Sequence, residues 1–262
     1  MHNAAFLKLA LDWCYVPLPV TPERLGQAVD GLAALGLAGA NVTAPYKQAA
    51  LAHVHEVAPE VRALGALNTI VVREGRTIGC NTDWCGFLAA LQENGFAARG
   101  RRAVVLGAGG AARAVVYALA EAGSEVLVFN RTRARAQALV RALAPLFPSA
   151  SLAAIPLTRE ALSLRASEAD LLVNATSVGM WPEVEQCPWP DDVAFPSHLT
   201  VLDLVYSPMQ TKLLQRAASA GARTIGGLGM LVHQGAAAFR LWTGLEPPVE
   251  TRYEACRQVL GG

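Results

Sequence analysis

Lys47 is the residue in this sequence whose type most directly suggests proton chemistry. The chain has three lysines beside 19 arginines, and this lysine stands in the polar stretch NVTAPYK. Arginine keeps its proton in proteins, whereas lysine can release one when its surroundings favour the neutral amine. Lys47 is therefore a candidate proton-handling group, and the alternative is a surface lysine that follows a strand.

Two further polar stretches, GALNT and GCNTDWCGF, border predicted strands in the first hundred residues. They contribute Asn68 and Asp83, and NVTAPYK contributes Thr43. This combination of amides, hydroxyls and charges suits a polyhydroxylated ligand, and a lysine–aspartate pair can transfer a proton. For Asp83 the alternative is a role as the cap of a helix that starts near Gly86.

A glycine-rich stretch, GAGGAARA, lies between an apolar strand and an alanine-rich helix. Glycines at such a turn let backbone N–H groups approach a pyrophosphate at the N-terminus of the helix. Ala112 stands where the usual pattern has its third glycine, and the alternative is a purely structural turn. The residues of the predicted pyrophosphate turn are Gly107, Ala108, Gly109, Gly110 and Ala111.

The stretch FNRTRAR ends the next predicted strand and indicates which dinucleotide is bound. NAD enzymes usually have an acidic residue there, which binds the ribose 2′-hydroxyl. This chain has Arg131, Arg133 and Arg135 with the hydroxyl of Thr132 between them, and these groups suit a 2′-phosphate. The sequence therefore predicts NADP(H), and the alternative is a solvated basic start of a helix.

The composition excludes several classes of protein. Hydrophobic residues make up 53% of the 262 residues, charged residues 16%, and the formal net charge is +1. Without a basic block, nothing favours nucleic acid or an anionic membrane as a partner. The apolar runs are interrupted before the length of a membrane span, and the start of the chain does not have the pattern of a signal peptide.

Five cysteines are scattered along the chain and are odd in number. They predict free thiols in a reducing cytoplasm. None of them combines with histidines at zinc-binding spacing, so we expect no metal site. The five are Cys14, Cys80, Cys85, Cys187 and Cys256.

The elements that must position the polar residues alternate between apolar strands and alanine-rich helices, which predicts an α/β fold with two domains. Residues 101–234 contain a βαβ unit and form the predicted NADP-binding Rossmann domain. Residues 1–100 together with 235–262 form the predicted substrate domain, which carries catalysis. A cleft between two such domains is a common place for a small-molecule site.

Within the first domain the sequence predicts three strand regions and two helices. The strand regions are CYVPLPV, GANVT and NTIVVREGRTIGCN, the last of them a hairpin around Glu74 and Gly75. The helices are expected at about 22–35 and 47–55.

Taken together, these stretches resemble the shikimate dehydrogenase family. The matches follow the family's order and spacing from MHNAAF to QGAAAFRLWTG, which is nearly the whole chain. Such an ordered series is more specific than any single glycine loop. The matching stretches are NVTAPYK, GALNT, NTDWCGF, GAGGAARA, NRTRARA, NATSVGM, DLVYSPMQT and GLGMLVHQGAAAF.

The resemblance implies NADPH-dependent, reversible reduction of 3-dehydroshikimate to shikimate, a step towards aromatic amino acids. By matched position it implies that Lys47 and Asp83 are the catalytic pair. The positions that match substrate-binding residues are Thr43, Asn68, Tyr206 and Gln234. The positions that match the cofactor site are the turn from Gly107 to Ala111, then Asn130, Arg131, Thr132 and Arg135, and near the nicotinamide Leu204, Gly227 and Met230.

One departure from the family concerns the start of the sequence. In the family, the motif that ends at MHNAAF begins upstream with a strand and two serines that bind the substrate carboxylate. This sequence begins inside that motif, at Met1, which predicts a start assigned too late or a shortened chain.

Two other functions remain open from the sequence. Lack of the serine pair would fit a non-catalytic NADP(H)-binding protein. The second possibility is a quinate dehydrogenase. NAD-preferring quinate enzymes of the family tend to carry an acid where Arg131 stands, which argues against this function. The sequence leaves open whether the protein is a monomer or a homodimer.

Overall fold

The computed structural model describes residues 1–260, which form two α/β units. The first unit contains Met1–Gly86 and Val232–Arg257, and the second contains Phe87–Leu231 together with residues 258–260. The predicted α/β fold with two domains is thus confirmed.

The first unit has a four-stranded sheet with the order β1-β3-β4-β2. β3 and β4 form an antiparallel hairpin, β1 is antiparallel to β3, and β2 is parallel to β4. Glu74 and Gly75 make the hairpin turn with φ angles of 51° and 74°, as the sequence predicted. The strands are β1 (Gly39–Asn41), β2 (Glu56–Val57), β3 (Thr69–Arg73) and β4 (Arg76–Cys80).

Helices cover this sheet and supply its core. Leu25, Val29 and Leu32 follow the helical period of α2 and pack with Leu67 and Ile70. Short 3₁₀ helices occur at Pro22–Arg24 and Ala49–His53. The α-helices that contribute to the unit are α1 (His2–Lys8), α2 (Leu25–Ala34), α3 (Pro59–Leu64), the start of α4 (Asp83–Glu93), the end of α9 (Leu228–Thr243) and α10 (Val249–Leu260).

Two local predictions for this unit need correction. Residues 14–20 were predicted as a strand but lie in irregular structure. Pro17 and Pro19 have no backbone N–H to donate to a strand ladder, which explains the difference. The helix predicted for 47–55 is only the five-residue 3₁₀ helix, whereas the helix predicted for 22–35 is confirmed.

The second unit has a six-stranded, all-parallel sheet with the order β10-β9-β8-β5-β6-β7. Its strands are β5 (Arg102–Leu106), β6 (Glu125–Phe129), β7 (Leu152–Ile155), β8 (Leu171–Asn174), β9 (Thr200–Asp203) and β10 (Arg223–Ile225). The helices between them are α5 (Gly110–Glu121), α6 (Arg133–Leu143), α7 (Arg159–Ser167) and α8 (Lys212–Ser219).

The strand order of this sheet reverses beside β5. From β5 the chain moves to β6 and β7 on one side, and later to β8, β9 and β10 on the other. In doubly wound sheets, ligands bind at the carboxyl ends of the strands at such a switch point. The ends of β5 and β8 are adjacent there, since Leu106 pairs with Asn174.

Helix α10 carries a buried arginine in the first unit. Arg252 is fully buried, and its Nη2 lies 3.4 Å from Nδ1 of His2. Among the residues described, Nε and Nη1 of Arg252 and Nε2 of His2 have no hydrogen-bond partner. Burial, together with the nearby charge of Arg252, lowers the pKa of His2 to about 3. His2 is therefore neutral in the folded protein at neutral pH.

We expect His2 to make the protein sensitive to acid. The unfolded chain binds a proton at this residue near pH 6.5, but the folded protein does so only near pH 3. The stability that His2 contributes is therefore complete above pH 6.5 and falls as the pH drops towards 3. At pH 5 the loss is about 2 kcal/mol. Replacing the imidazole by a phenyl ring, in His2→Phe, should remove this loss.

Urea unfolding at pH 7.5 and pH 5 tests this expectation. The fall in unfolding free energy between the two conditions should be about 2 kcal/mol smaller in His2→Phe than in the wild type. His53→Gln, a change at a half-buried histidine of the same unit, serves as the control. Equal falls in the wild type and His2→Phe would contradict the assignment.

Candidate active site

Lys47 and Asp83 meet in the first unit although they are 36 residues apart in the chain. Nζ of Lys47 lies 2.6 Å from Oδ2 of Asp83, and the side chains are 22% and 8% exposed. Lys47 follows β1, and its carbonyl accepts a hydrogen bond from the N–H of Leu67. Asp83 begins α4 directly after β4. The ion pair is thus held by two anchored segments, and its lysine stays accessible.

Asn68 and Gln234 complete the cluster around this pair. Nδ2 of Asn68 donates to Oδ1 of Asp83 at 2.8 Å and lies 3.4 Å from Oε1 of Gln234. The two carboxylate oxygens of Asp83 therefore have different partners, an amide and an ammonium. The capping role considered for Asp83 is not what this geometry shows, since its carboxylate contacts Asn68 and Lys47.

A glycine in α4 brings Gln234 close to the cluster. A Cβ at Gly86 would lie 2.6 Å from the backbone nitrogen of Gln234, closer than real Cβ atoms come to backbone. Only glycine lets these two helix segments approach so closely. The position of Gln234 therefore depends on the absence of a side chain one turn after Asp83.

Two of the predicted substrate residues lie outside this cluster. Thr43 is exposed on the loop that leads to Lys47, where its carbonyl accepts from the N–H of Tyr46. Thr43 and Tyr46 line a groove of about 340 Å³ in the first unit. Tyr206 belongs to the second unit, where it is 40% exposed on the loop after β9.

The structure adds polar residues that the sequence analysis did not select. The backbone N–H of Thr82 donates to Oδ1 of Asn68 at 2.7 Å, and the hydroxyl of Thr69 donates to the same oxygen at 3.0 Å. Oδ1 of Asn81 accepts from the backbone N–H of Asp83. Each added residue lies within two positions of a predicted one in the chain. This proximity in sequence is the signal that could have identified them.

In the second unit, the glycine-rich turn follows β5 at the switch point. Gly107 is buried with φ at 116°, and a Cβ there would lie 2.8 Å from the carbonyl oxygen of Ala175. Gly109 caps α5 and has open space where a Cβ would be. The N–H of Gly107 donates to the carbonyl of Phe129 at 2.8 Å. The N–H groups that this turn offers to an anion are therefore those at the start of α5, from Gly109 onward. Ala112 is fully buried.

The predicted phosphate residues lie at the end of β6 and the start of α6. Arg131, Thr132 and Arg135 are exposed, and Nδ2 of Asn130 donates to the carbonyl of Thr132. Because β6 is the neighbour of β5, these charges lie one strand away from the glycine turn. Their exposure leaves them accessible to an anion.

The three residues predicted near the nicotinamide also lie at the carboxyl edge of this sheet. Gly227 packs against the backbone after β9, where a Cβ would be 2.4 Å from the carbonyl oxygen of Leu204. Met230 is 8% exposed in the first turn of α9. Gly227 has a structural role in this geometry, in addition to the role predicted for it.

A buried carboxylate joins the loops after β8 and β9. Oδ2 of Asp203 accepts from the hydroxyl of Thr211 at 2.6 Å, and Oδ1 accepts from Nδ2 of Asn174 at 2.9 Å. Burial raises the pKa of Asp203 above its usual value. This network fixes the start of the NATSVGM stretch at the ligand edge of the sheet.

The described residues do not include three or more His, Cys, Asp or Glu side chains grouped as a metal site. All five cysteines are free. No helix between residues 1 and 260 has the length and hydrophobicity needed to cross a membrane.

A parallel sheet with a glycine turn at its switch point, and arginines after the next strand, is typical of NADP-binding domains. Combined with a second α/β unit that holds a lysine–aspartate pair, it defines the class of NADP-dependent oxidoreductases.

Comparisons with known proteins narrow this class to one family. The family model described as the shikimate dehydrogenase substrate binding domain matches residues 1–70, the shikimate/quinate 5-dehydrogenase model matches 89–180, and the shikimate 5′-dehydrogenase C-terminal domain matches 227–257. The shikimate dehydrogenase (NADP⁺) of Symbiobacterium thermophilum is 46% identical over 264 residues, 100% of this chain and 90% of that protein. The chain belongs to the shikimate dehydrogenase family.

Solved structures agree with this assignment. Shikimate 5-dehydrogenase from Thermus thermophilus, in complex with NADP(H) and shikimate, has a TM-score of 0.89 at 43% identity, covering 99% of this chain and 93% of that one. Quinate dehydrogenase from Corynebacterium glutamicum, in complex with NAD, has a TM-score of 0.88 at 33% identity, covering 98% and 92%.

Proposed function

We propose that this protein catalyses the reversible, NADPH-dependent reduction of 3-dehydroshikimate to shikimate. The observation that carries the proposal is the ion pair of Lys47 and Asp83, joined to Asn68 and Gln234, in a member of this family. Such a cluster supplies a proton-transfer group and several hydrogen-bonding groups for a hydroxylated ring.

NADPH, when bound, supplies the hydride that goes to the carbonyl carbon of the substrate. Lys47 gives a proton to the carbonyl oxygen, so that the C=O bond becomes a C–OH group. In the reverse direction Lys47 takes this proton as the hydride leaves. One N–H of the ammonium donates to Asp83. An ammonium has three donors, so it can also bind the reacting oxygen.

Asp83 holds the ammonium in place through Oδ2. Asn68 and Gln234 bind ring hydroxyls beside this pair in our proposal. Thr43, in the same unit, adds a substrate contact in our proposal, and Tyr206 remains a substrate-binding residue predicted from the resemblance.

In the second unit, the residues of the glycine turn would bind the pyrophosphate of NADP(H) through backbone N–H groups. Asn130, Arg131, Thr132 and Arg135 would bind the 2′-phosphate. Leu204, Gly227 and Met230 would border the nicotinamide. The residues present fit this cofactor, since the turn is open at Gly109 and the arginine side chains are exposed.

Gly109→Ala tests the pyrophosphate site without disturbing the fold. The added Cβ meets no protein atom within 4 Å, and φ is −88° at this residue. Its only expected obstacle is the bound pyrophosphate, so we expect the Kd for NADPH to rise about tenfold or more while Tm changes little. NADPH fluorescence titration and thermal unfolding measure both quantities.

Gly31→Ala is the matched control, because a Cβ at Gly31 in α2 also has open space. It should leave the affinity for NADPH unchanged. If Gly109→Ala binds NADPH as tightly as the wild type does, the pyrophosphate does not lie against this turn.

The proposed reaction is tested by the appearance of NADPH absorbance when the chain is mixed with shikimate and NADP⁺. Quinate with NAD⁺ is the comparison, and Arg131 leads us to expect a much lower rate for it. Tight NADPH binding with no turnover of shikimate would favour the binding-protein alternative. Five free thiols suit a reducing compartment, and we place the protein in the cytoplasm.

A further inference from the structure

The amide of Asn68 has a single orientation that its neighbours define. The atom that faces the backbone N–H of Thr82 at 2.7 Å must be the amide oxygen, because a backbone N–H can only donate. The amide nitrogen therefore faces Oδ1 of Asp83 at 2.8 Å. Turned over, the amide would bring its oxygen against the carboxylate, and two acceptors would oppose each other.

The side chain of Asn41 is oriented by the same reasoning. One amide atom lies 3.3 Å from the backbone oxygen of Asn68, which can only accept, so this atom is the nitrogen. The oxygen of Asn41 then faces the hydroxyl of Tyr15 at 3.0 Å. Tyr15 must donate to Asn41.

The hydroxyl of Thr69 links these two amides. Its oxygen lies 3.2 Å from the amide nitrogen of Asn41 and 3.0 Å from the amide oxygen of Asn68. It accepts from the first and donates to the second, because an amide nitrogen donates and an amide oxygen accepts. Thr69 is fully buried, so water does not compete for its hydroxyl.

We infer that Thr69 is a positioning residue for the reaction, at the centre of a hydrogen-bond relay from Tyr15 through Asn41 to Asn68. All donors in this relay point towards Asp83, whose two carboxylate oxygens are contacted separately by Asn68 and Lys47. The relay holds the Asn68 amide with its nitrogen towards Oδ1 of Asp83. This inference rests on the proposed reaction, in which Asp83 places Lys47.

Thr69→Val removes the hydroxyl at nearly constant volume and tests the relay. We expect kcat for shikimate oxidation to fall about tenfold, with KM for NADP⁺ unchanged, because the cofactor residues lie in the other unit. Thr69→Ser restores the hydroxyl and should recover most of the rate, which a loss of packing at this position would not explain.

Thr77→Val is the matched control. Thr77 is also a fully buried threonine of the same hairpin, but its hydroxyl bonds to His55 instead of the relay. Thr77→Val should cost similar stability and leave kcat unchanged. If Thr69→Val does not fold, Tyr15→Phe provides a second test at the half-buried start of the relay. This variant should lower kcat about threefold.

The outcomes separate this inference from the proposed function. A wild type that does not oxidise shikimate overturns the proposed function, and the positioning role with it. If the wild type is active, the positioning role alone is overturned when Thr69→Val keeps the wild-type kcat, or when Thr69→Ser is as impaired as Thr69→Val. If Thr69→Val does not fold, a Tyr15→Phe variant with the kcat of the wild type also overturns the positioning role.

Discussion

Lys47→Ala should lower kcat for shikimate oxidation about 10³-fold. Proton transfer by a positioned side chain contributes about 10²- to 10⁴-fold to a rate, and in our proposal no other group near the reacting oxygen replaces Lys47. The loss should appear in kcat, whereas the Kd for NADPH should stay within about twofold of the wild type. Steady-state kinetics and NADPH fluorescence titration measure these two quantities.

Lys47→Arg distinguishes a role of Lys47 in proton transfer from a role as a positive charge alone. Arginine preserves the positive partner of Asp83 but does not release its proton, so this variant should be nearly as impaired as Lys47→Ala. Lys212→Ala, at a lysine 42% exposed in the second unit, is the control and should keep the wild-type rate. Substantial activity in Lys47→Arg would mean that Lys47 acts only as a charge.

Arg131→Asp should reverse the preference between NADP⁺ and NAD⁺. A hydrogen bond between charged groups contributes about 1.5–3 kcal/mol, which corresponds to roughly 10- to 100-fold in affinity. Aspartate removes this bond, repels the 2′-phosphate, and can accept from the 2′-hydroxyl of NAD⁺. We expect KM for NADP⁺ to rise about 100-fold or more and KM for NAD⁺ to fall.

The control for this reversal is Arg141→Asp, the same change in the last turn of α6. It alters the net charge of the chain equally but lies about two turns or more from the strand end. The ratio of kcat/KM for the two cofactors should therefore remain that of the wild type. An unchanged ratio in Arg131→Asp would place the 2′-phosphate away from this strand end.

The nucleotide unit is the part that the sequence predicted best. Its signals are local, because a buried strand, a glycine turn and an amphipathic helix succeed one another between 102 and 129. Each of these elements depends on residues close to it in the chain. The hydrophobic periodicity and the turn residues therefore suffice to predict it. Strand β7 was not predicted because it is short and only half-buried at the edge of the sheet.

The substrate unit was predicted less accurately, for an equally physical reason. Residues 14–20 have the apolar composition of a strand, but two prolines in the stretch prevent a ladder. The sequence signalled that Arg252 and His2 are polar, and only packing decided that both are buried. Their burial depends on contacts 250 residues apart in the chain.

By itself, the sequence determined the α/β class and the cofactor, and it predicted which side chains react. Residue type and local spacing encode these properties directly. Only the tertiary structure decided that Lys47, Asp83, Asn68 and Gln234 meet, because they come from separate segments of the chain. The approach of Gln234 also requires the absence of a side chain at Gly86. The tertiary structure also decided the direction of each hydrogen bond around Asn68, since a donor is recognised only from the atom that it faces.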